Sequence, residues 1–161
     1  MVIVVMGVSG CGKTTISQKL SESIQVPYYD ADDFHPQSNI DKMSSGHALN
    51  DQDRQPWLEI LAKHIKNWAA GEGAVLACSA LKERYRTLLS AEYSSIIWVY
   101  LSGTKALIKD RLDKREDHFM SSDLLDAQFR DLEVPQKAIE IDISQSPETI
   151  INTIVSKLNY E

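Results

Sequence analysis

Hydrophobic and polar positions along this chain switch repeatedly between two periods. Val2, Ile3, Val4 and Val5 form an apolar, β-branched run, the pattern of a strand covered on both faces. A glycine-rich break follows, and beyond it Ile16, Leu20 and Ile24 recur at i, i+4 and i+8, which predicts a helix beginning where the turn ends. Further apolar runs at Val26 to Asp30, Ala74 to Cys78, Ile96 to Leu101 and Ala138 to Ile143 read as four more strands. Between them Trp57, Leu58, Leu61, Ile65 and Trp68 mark one face of a helix that Gly71 and Gly73 terminate, with both tryptophans expected in the core. Ser146, Pro147 and Glu148 supply a cap, a first-turn proline and an acid for a last helix whose inward face is Ile150, Ile151, Ile154, Val155 and Leu158. Strands alternating with helices predict an α/β fold on a five-stranded parallel sheet. No repeat, low-complexity tract or long linker interrupts the pattern, and 161 residues suit a single domain spanning residues 1–161. The polar, charged segment at about 113–122 lies between helical patterns and reads as a mobile lid.

The break after the first strand carries chemistry. Gly7-x-x-x-x-Gly12-Lys13-Thr14 has the spacing of a phosphate-binding loop, and the required strand–turn–helix context surrounds it. Small residues there let successive backbone N–H groups converge on phosphate oxygens at a helix N-terminus. Gly7, Ser9, Gly10, Cys11, Gly12, Lys13, Thr14 and Thr15 are therefore expected to hold ATP, Lys13 at the β- and γ-phosphates and Thr14 through its hydroxyl on Mg²⁺.

Charge narrows the partner. A net charge of −6 argues against nucleic acid, whose backbone calls for clustered positive charge. With no leader before Val2 and no apolar run of membrane length, a cytoplasmic chain without membrane association is expected. The four histidines, His35, His47, His64 and His118, show no metal-ligand spacing, so no zinc site is inferred. Cys11 and Cys78 are far apart in sequence and read as reduced thiols; both nonetheless approach the expected crevice, where oxidation could inhibit.

A phosphate loop does not by itself separate a switch, a motor and a small-molecule kinase. Thr104-Lys105-Ala106-Leu107 has leucine where a guanine-reading carboxylate would stand, and Ala74 to Cys78 ends without the Mg²⁺-holding aspartate of many ATPases. The acids lie instead at Asp30-Ala31-Asp32-Asp33, after the second strand, where carboxyl ends of parallel strands line a ligand crevice. If the strand continues, Asp30 and Asp32 point the same way; one can help hold hydrated Mg²⁺ and the other accept a proton from an attacking hydroxyl.

The stretch Asp30-Ala31-Asp32-Asp33-Phe34-His35-Pro36, with Asn39, Lys42-Met43, Gly46, Leu49, Asp51, Asp53-Arg54 and Pro56-Trp57-Leu58, closely resembles the gluconokinase family. Cys78-Ser79-Ala80-Leu81-Lys82 and Tyr85-Arg86 resemble that family's segment after the third strand, and Arg111, Arg115, His118-Phe119-Met120 and Gln128-Phe129 resemble its lid. The resemblance implies a three-layer α/β/α P-loop kinase with strand order 2-3-1-4-5, a substrate segment at about 32–58, and a homodimer. It implies transfer of phosphate from ATP to D-gluconate, giving 6-phosphogluconate. Cys11 departs from it, since many members carry serine there.

A small polyol with one carboxylate needs cations at its acid end and hydrogen-bonding groups along its hydroxyls. Arg54, Lys82, Arg86 and Arg130 are candidates for the acid end, Arg54 foremost. By resemblance His35 and Ser79 lie near the polyol, and His118 and Gln128 join the substrate set. Arg111 and Arg115, four residues apart, share a helix face and can meet phosphate oxygens during transfer; Asp32 is the expected base and Asp30 the expected metal ligand. The adenine is expected near Ser144 to Pro147. The alternatives are a kinase of shikimate or adenylylsulfate type and a nucleotide-binding module without turnover.

Overall fold

The first strand is β-branched because both its faces are covered: β1 (Val2–Met6) is buried at every position. The computed structural model describes residues 1–114 and 122–159. Around β1 lie β2 (Tyr28–Asp30), β3 (Ala74–Ala77), β4 (Ile97–Ser102) and β5 (Ile139–Asp142). They form one sheet in the order β2-β3-β1-β4-β5, every pair parallel, with Val4 opposite Leu76 on one side and Trp98 on the other. This is the expected order.

The helices are α1 (Lys13–Ile24), α2 (Gln37–Ser44), α3 (Asp51–Ala70), α4 (Glu83–Leu89), α5 (Lys105–Asp113), α6 (Ser122–Asp131) and α7 (Pro147–Leu158). Strand alternation sorts them into two layers. Ile3 and Val5 join Ile16 and Leu20 of α1, Ile108 of α5 and Ile150 and Ile154 of α7 in one core. Val2, Val4 and Met6 join Trp57, Leu58, Leu61 and Ile65 of α3 and Tyr85 and Leu89 of α4 in the other. Because β1 is central and its neighbours β3 and β4 come from opposite directions, a crevice opens at the strand carboxyl ends where the chain reverses direction.

Two expectations change. The second strand stops at Asp30, and Ala31–Phe34 turn into a 3-10 helix, so alternation does not align Asp30 with Asp32. The reason is local: the Asp30 carboxylate accepts the Asp32 N–H at 2.9 Å and caps the turn. Trp57 is in the core as expected, but Trp68 is only half-buried, stacked on Tyr29 of the edge strand with ring centroids 4.2 Å apart. The segment before Trp57 is helical over much of its length. It contains α2, and α3 starts at Asp51 under a reciprocal cap in which Asn50 accepts from the Asp53 N–H and Asp53 accepts from the Asn50 N–H.

One buried group lacks a partner. Ser17 of α1 is fully buried, and its hydroxyl makes no hydrogen bond among the described residues. Ser17→Ala removes a desolvated hydroxyl and improves helix propensity, so thermal unfolding is expected to show a gain of about 1 kcal/mol. A loss of stability would mean that the hydroxyl is satisfied in solution.

Candidate functional site

Residues 7–15 cross the crevice at the end of β1. Gly7 has a φ of +148°, and a Cβ there would come within 2.7 Å of the Cys11 sulfur and 2.9 Å of the Leu101 carbonyl oxygen, so only glycine lets the loop start this close to β4. Gly12, at φ +98°, caps α1 without a side chain, and the first turn of α1 contains no acid. The first N–H groups of α1 are thus left without a side-chain acceptor, the arrangement that receives phosphate. Lys13 folds back along the loop, its Nζ donating to the carbonyls of Gly7 at 2.9 Å and Val8 at 3.1 Å. Thr14 and Thr15 are exposed on the first turn.

Beside the loop is a cavity of about 210 Å³ whose lining includes Gly10, Thr15, Arg111, Ile143, Gln145 and Pro147. It coincides with the region expected for adenine. Arg111 reaches it from α5, and its guanidinium donates to the Ile143 carbonyl. A larger, shallow hollow of about 490 Å³ between α1 and α7 is lined by Lys19, Glu22 and Glu148 among others and touches none of the loop residues.

Asp32 lies in the 3-10 turn that follows β2. Its side chain is largely exposed, yet partial desolvation and the charge of Asp30 raise its carboxyl above the usual carboxylate range, against the opposing pull of His35 and Lys13. The influence of Lys13 ties this acid electrostatically to the loop. His35 lies flat against Trp57, centroids 4.3 Å apart and 16° from parallel, and Trp57 donates from Nε1 to the Ala31 carbonyl at 2.8 Å. The buried Asn39 donates from its amide to the Asp53 carbonyl at 2.9 Å and meets His35 Nδ1 at 3.2 Å. With the amide nitrogen as donor, the imidazole proton is assigned to Nε2, which faces Asp32 Oδ1 at 3.8 Å. Burial lowers the His35 pKa, favouring this neutral form.

Tyr28 lies near both expected metal ligands. Burial and the charges of Asp30, Asp33 and Asp32 push its pKa up, against the opposing pull of the Thr14 side chain. A threonine hydroxyl and aspartate oxygens are hard donors that suit Mg²⁺, which keeps several waters and takes few protein ligands when it travels with phosphates. Among the described residues no group of three or more His, Cys, Asp or Glu side chains could enclose a metal ion, and such a cage is not what Mg²⁺ requires.

Two of the expected cations come together around Tyr85. Arg54 lies 5.6 Å from the ring centre and donates to the Tyr85 hydroxyl at 3.2 Å, and Lys82 also lies 5.6 Å from the ring centre. The Tyr85 hydroxyl donates to Asp51, which also pairs with Arg54 at 3.7 Å, Lys82 at 3.6 Å and Arg84 at 3.3 Å. The cluster keeps an excess of positive charge, a fit for a small carboxylate. The Tyr85 bond, followed by Lys82 and Arg84, holds the Asp51 carboxyl below its usual range.

Arg86 is a correction. It is buried and donates through Nη1 to the carbonyls of Ala80 and Leu81 at 2.7 and 3.1 Å. Through Nη2 it donates to Glu83 at 3.1 Å and the Glu133 carbonyl at 2.7 Å. It braces the turn between Ser79 and Lys82, where Ala80 adopts φ +44°, and has no free end for a ligand. Arg130 is exposed on the last turn of α6. Ser79 lies beside the loop, its carbonyl accepting the Gly7 N–H at 3.3 Å. Gln128 also turns toward the loop, and contacts Ser9. Arg115 and His118, with nearly all of the expected lid, lie outside the described residues. Both thiols are buried with raised pKa values, Cys78 pushed up to about 12 by burial, so neither is the thiolate that an oxidant-sensitive crevice would need.

Sequence reasoning did not single out Asn39, Tyr28 or Tyr85 as site residues. A buried asparagine between two acidic turns and a tyrosine three residues after Lys82 are weak signals, because both gain meaning only from partners distant in sequence.

Comparison with known proteins bears on the family and the fold. The shikimate kinase family matches residues 9–159. The gluconokinase of Arabidopsis thaliana is 43% identical over 96% of this chain and 90% of its own length. That of Gluconobacter oxydans (strain 621H) is 37% identical over 99% of this chain and 92% of its own. A crystal structure of a gluconokinase from Sinorhizobium meliloti 1021 superposes with a TM-score of 0.85 at 34% identity, covering 99% of this chain and 95% of that one.

Proposed function

The chain belongs to the gluconokinase family, and from that premise we propose that its crevice transfers the terminal phosphoryl group of ATP to the 6-hydroxyl of D-gluconate. The observation that carries the reading is a chain of neighbouring groups: a phosphate-binding loop beside a cavity of about 210 Å³, an acid of raised pKa that feels Lys13 of that loop, and a histidine next to that acid that feels Arg54 of a cationic cluster. ATP lies along residues 7–15 with its base against Arg111 and Pro147. Gluconate enters with its carboxylate toward Arg54 and Lys82 and its far alcohol toward Asp32.

Asp32 takes the proton of the attacking hydroxyl, oriented by His35, which Asn39 and Trp57 hold in place. Lys13 turns from the Gly7 and Val8 carbonyls to the phosphate oxygens and stabilises charge as the bond breaks, together with Arg111 and Arg115. Thr14 and Asp30 would hold hydrated Mg²⁺, which when bound neutralises charge on the phosphates. In the same reading the enzyme is a cytoplasmic homodimer; the family resemblance supports this, and no described helix is long and apolar enough to cross a membrane.

A coupled ADP-release assay across gluconate, shikimate, adenylylsulfate and other sugar acids tests the acceptor. Gluconate should be turned over fastest. Preferred turnover of shikimate or adenylylsulfate would replace it, and nucleotide binding without product from any acceptor would favour a non-catalytic module. Arg54→Ala should raise the KM for gluconate about 10- to 100-fold, the worth of a charge-assisted hydrogen bond, with a smaller change in kcat. Gluconate titration at saturating ATP checks this; an unchanged KM would remove Arg54 from the acid end.

A further inference from the structure

Gln128 does something the phosphate-loop motif does not provide for. Its side-chain amide clasps Ser9 through two bonds: Oε1 accepts the Ser9 backbone N–H at 2.7 Å, and Nε2 donates to the Ser9 hydroxyl at 3.0 Å. The two residues are 119 positions apart. The clasp does not come from a dangling side chain. Leu125 of α6 is buried, Phe129 and Leu132 pack against the same core, and just past the helix the Glu133 N–H donates to the Leu81 carbonyl at 2.8 Å. Gln128, three residues after Leu125, is delivered to the loop from a seated helix face.

The position of the clasp along the loop gives it meaning. Ser9 follows Gly7 and Val8, whose carbonyls hold Lys13, the side chain that serves the β- and γ-phosphates. The N–H groups opening α1, at the other end of the loop, have no side-chain acceptor and remain open for the inner phosphates. In the structure, then, the outer end of the loop is closed by protein groups while the N–H groups of the inner end have no side-chain acceptor. An amide oxygen on a backbone N–H imitates a phosphoryl oxygen but carries no charge, so it is the weaker of the two ligands for that donor.

We propose that Gln128 is a specificity residue that makes the loop discriminate between nucleoside tri- and diphosphate: it occupies the Ser9 N–H, a donor that the terminal phosphoryl group must claim and that a diphosphate leaves alone. This rests on the reading of residues 7–15 as the ATP site. Displacing the clasp subtracts from triphosphate affinity only, and its return over ADP restores the bonds that the departing phosphoryl group vacates.

The test is calorimetric titration of the full chain with Mg²⁺ and either ADP or the non-hydrolysable β,γ-imido analogue of ATP. Gln128→Ala should tighten the triphosphate analogue about 2- to 10-fold, the worth of one or two neutral hydrogen bonds, and leave ADP within about twofold. Gln128→Met, which keeps the length of the side chain and its packing, should do the same and serves should the alanine variant fold poorly. An unchanged ratio of the two affinities, or a triphosphate weakened in the folded variants, would overturn the proposal while leaving the ATP site standing. Failure of the unaltered chain to bind either nucleotide would overturn both.

Discussion

Asp32→Asn is expected to lower kcat for gluconate phosphorylation about 10²- to 10⁴-fold, the range for loss of a positioned general base. The substitution keeps the size of the side chain and the turn that Asp30 caps, but an amide cannot take the hydroxyl proton. ATP affinity should change little, because Asp32 is not among the residues lining the cavity beside Arg111 and Pro147. The pH profile provides a second readout. Packing behind Asp32 and the charge of Asp30 raise its pKa, and only the ionised form is a base, so activity should fall on the acid side at a higher pH than an ordinary carboxylate would give. That acid limb should vanish from the residual activity of the variant. Turnover like the unaltered enzyme's in a folded Asp32→Asn protein would take the base role away from this residue.

Lys13→Ala is expected to cost about 10²–10³-fold in kcat, comparable to removing one preorganised donor from a developing negative charge. In the structure the ammonium group satisfies the Gly7 and Val8 carbonyls. These are exchangeable partners, so the lysine can follow the phosphoryl group without leaving a buried charge unpaired. Because its charge also lowers the Asp32 pKa, the variant should shift the acid limb further upward, a coupling that steady-state rates between pH 5 and 8 can read. A variant with unchanged kcat and unchanged limb would mean that Lys13 serves only the loop's own carbonyls.

What was legible in the sequence divides along physical lines. Elements with strong periodicity were readable: β1 and α1 announce themselves through Val2 to Val5 and through Ile16, Leu20 and Ile24, and the phosphate loop between them is held by backbone conformation that glycine spacing encodes. The cap of α7 at Ser146 was equally plain, its hydroxyl accepting the Thr149 N–H. Polar segments were not readable in this way. That Asp30 ends its strand by binding the Asp32 N–H depends on a competition between side chain and ladder that alternation ignores.

Function at the acceptor side was legible as residue types but not as partnerships. Arg54, Lys82 and Arg86 look alike in sequence, and only the fold separates two that flank Tyr85 from one that braces the Ala80 turn. Gln128 likewise entered through its resemblance to a lid residue, while its contact with Ser9 joins segments that no local pattern connects. Such pairings are set by how the layers stack, and the sequence states them only through the whole fold.

A crystal structure with the non-hydrolysable β,γ-imido analogue of ATP and gluconate bound tests the central claim most directly. The account predicts the γ-phosphoryl group over Lys13, the 6-hydroxyl about 3–3.5 Å from its phosphorus and in hydrogen-bonding reach of Asp32, and the carboxylate at Arg54 and Lys82. A triphosphate seated away from residues 7–15, or a gluconate whose carboxylate end faces Asp32, would contradict it.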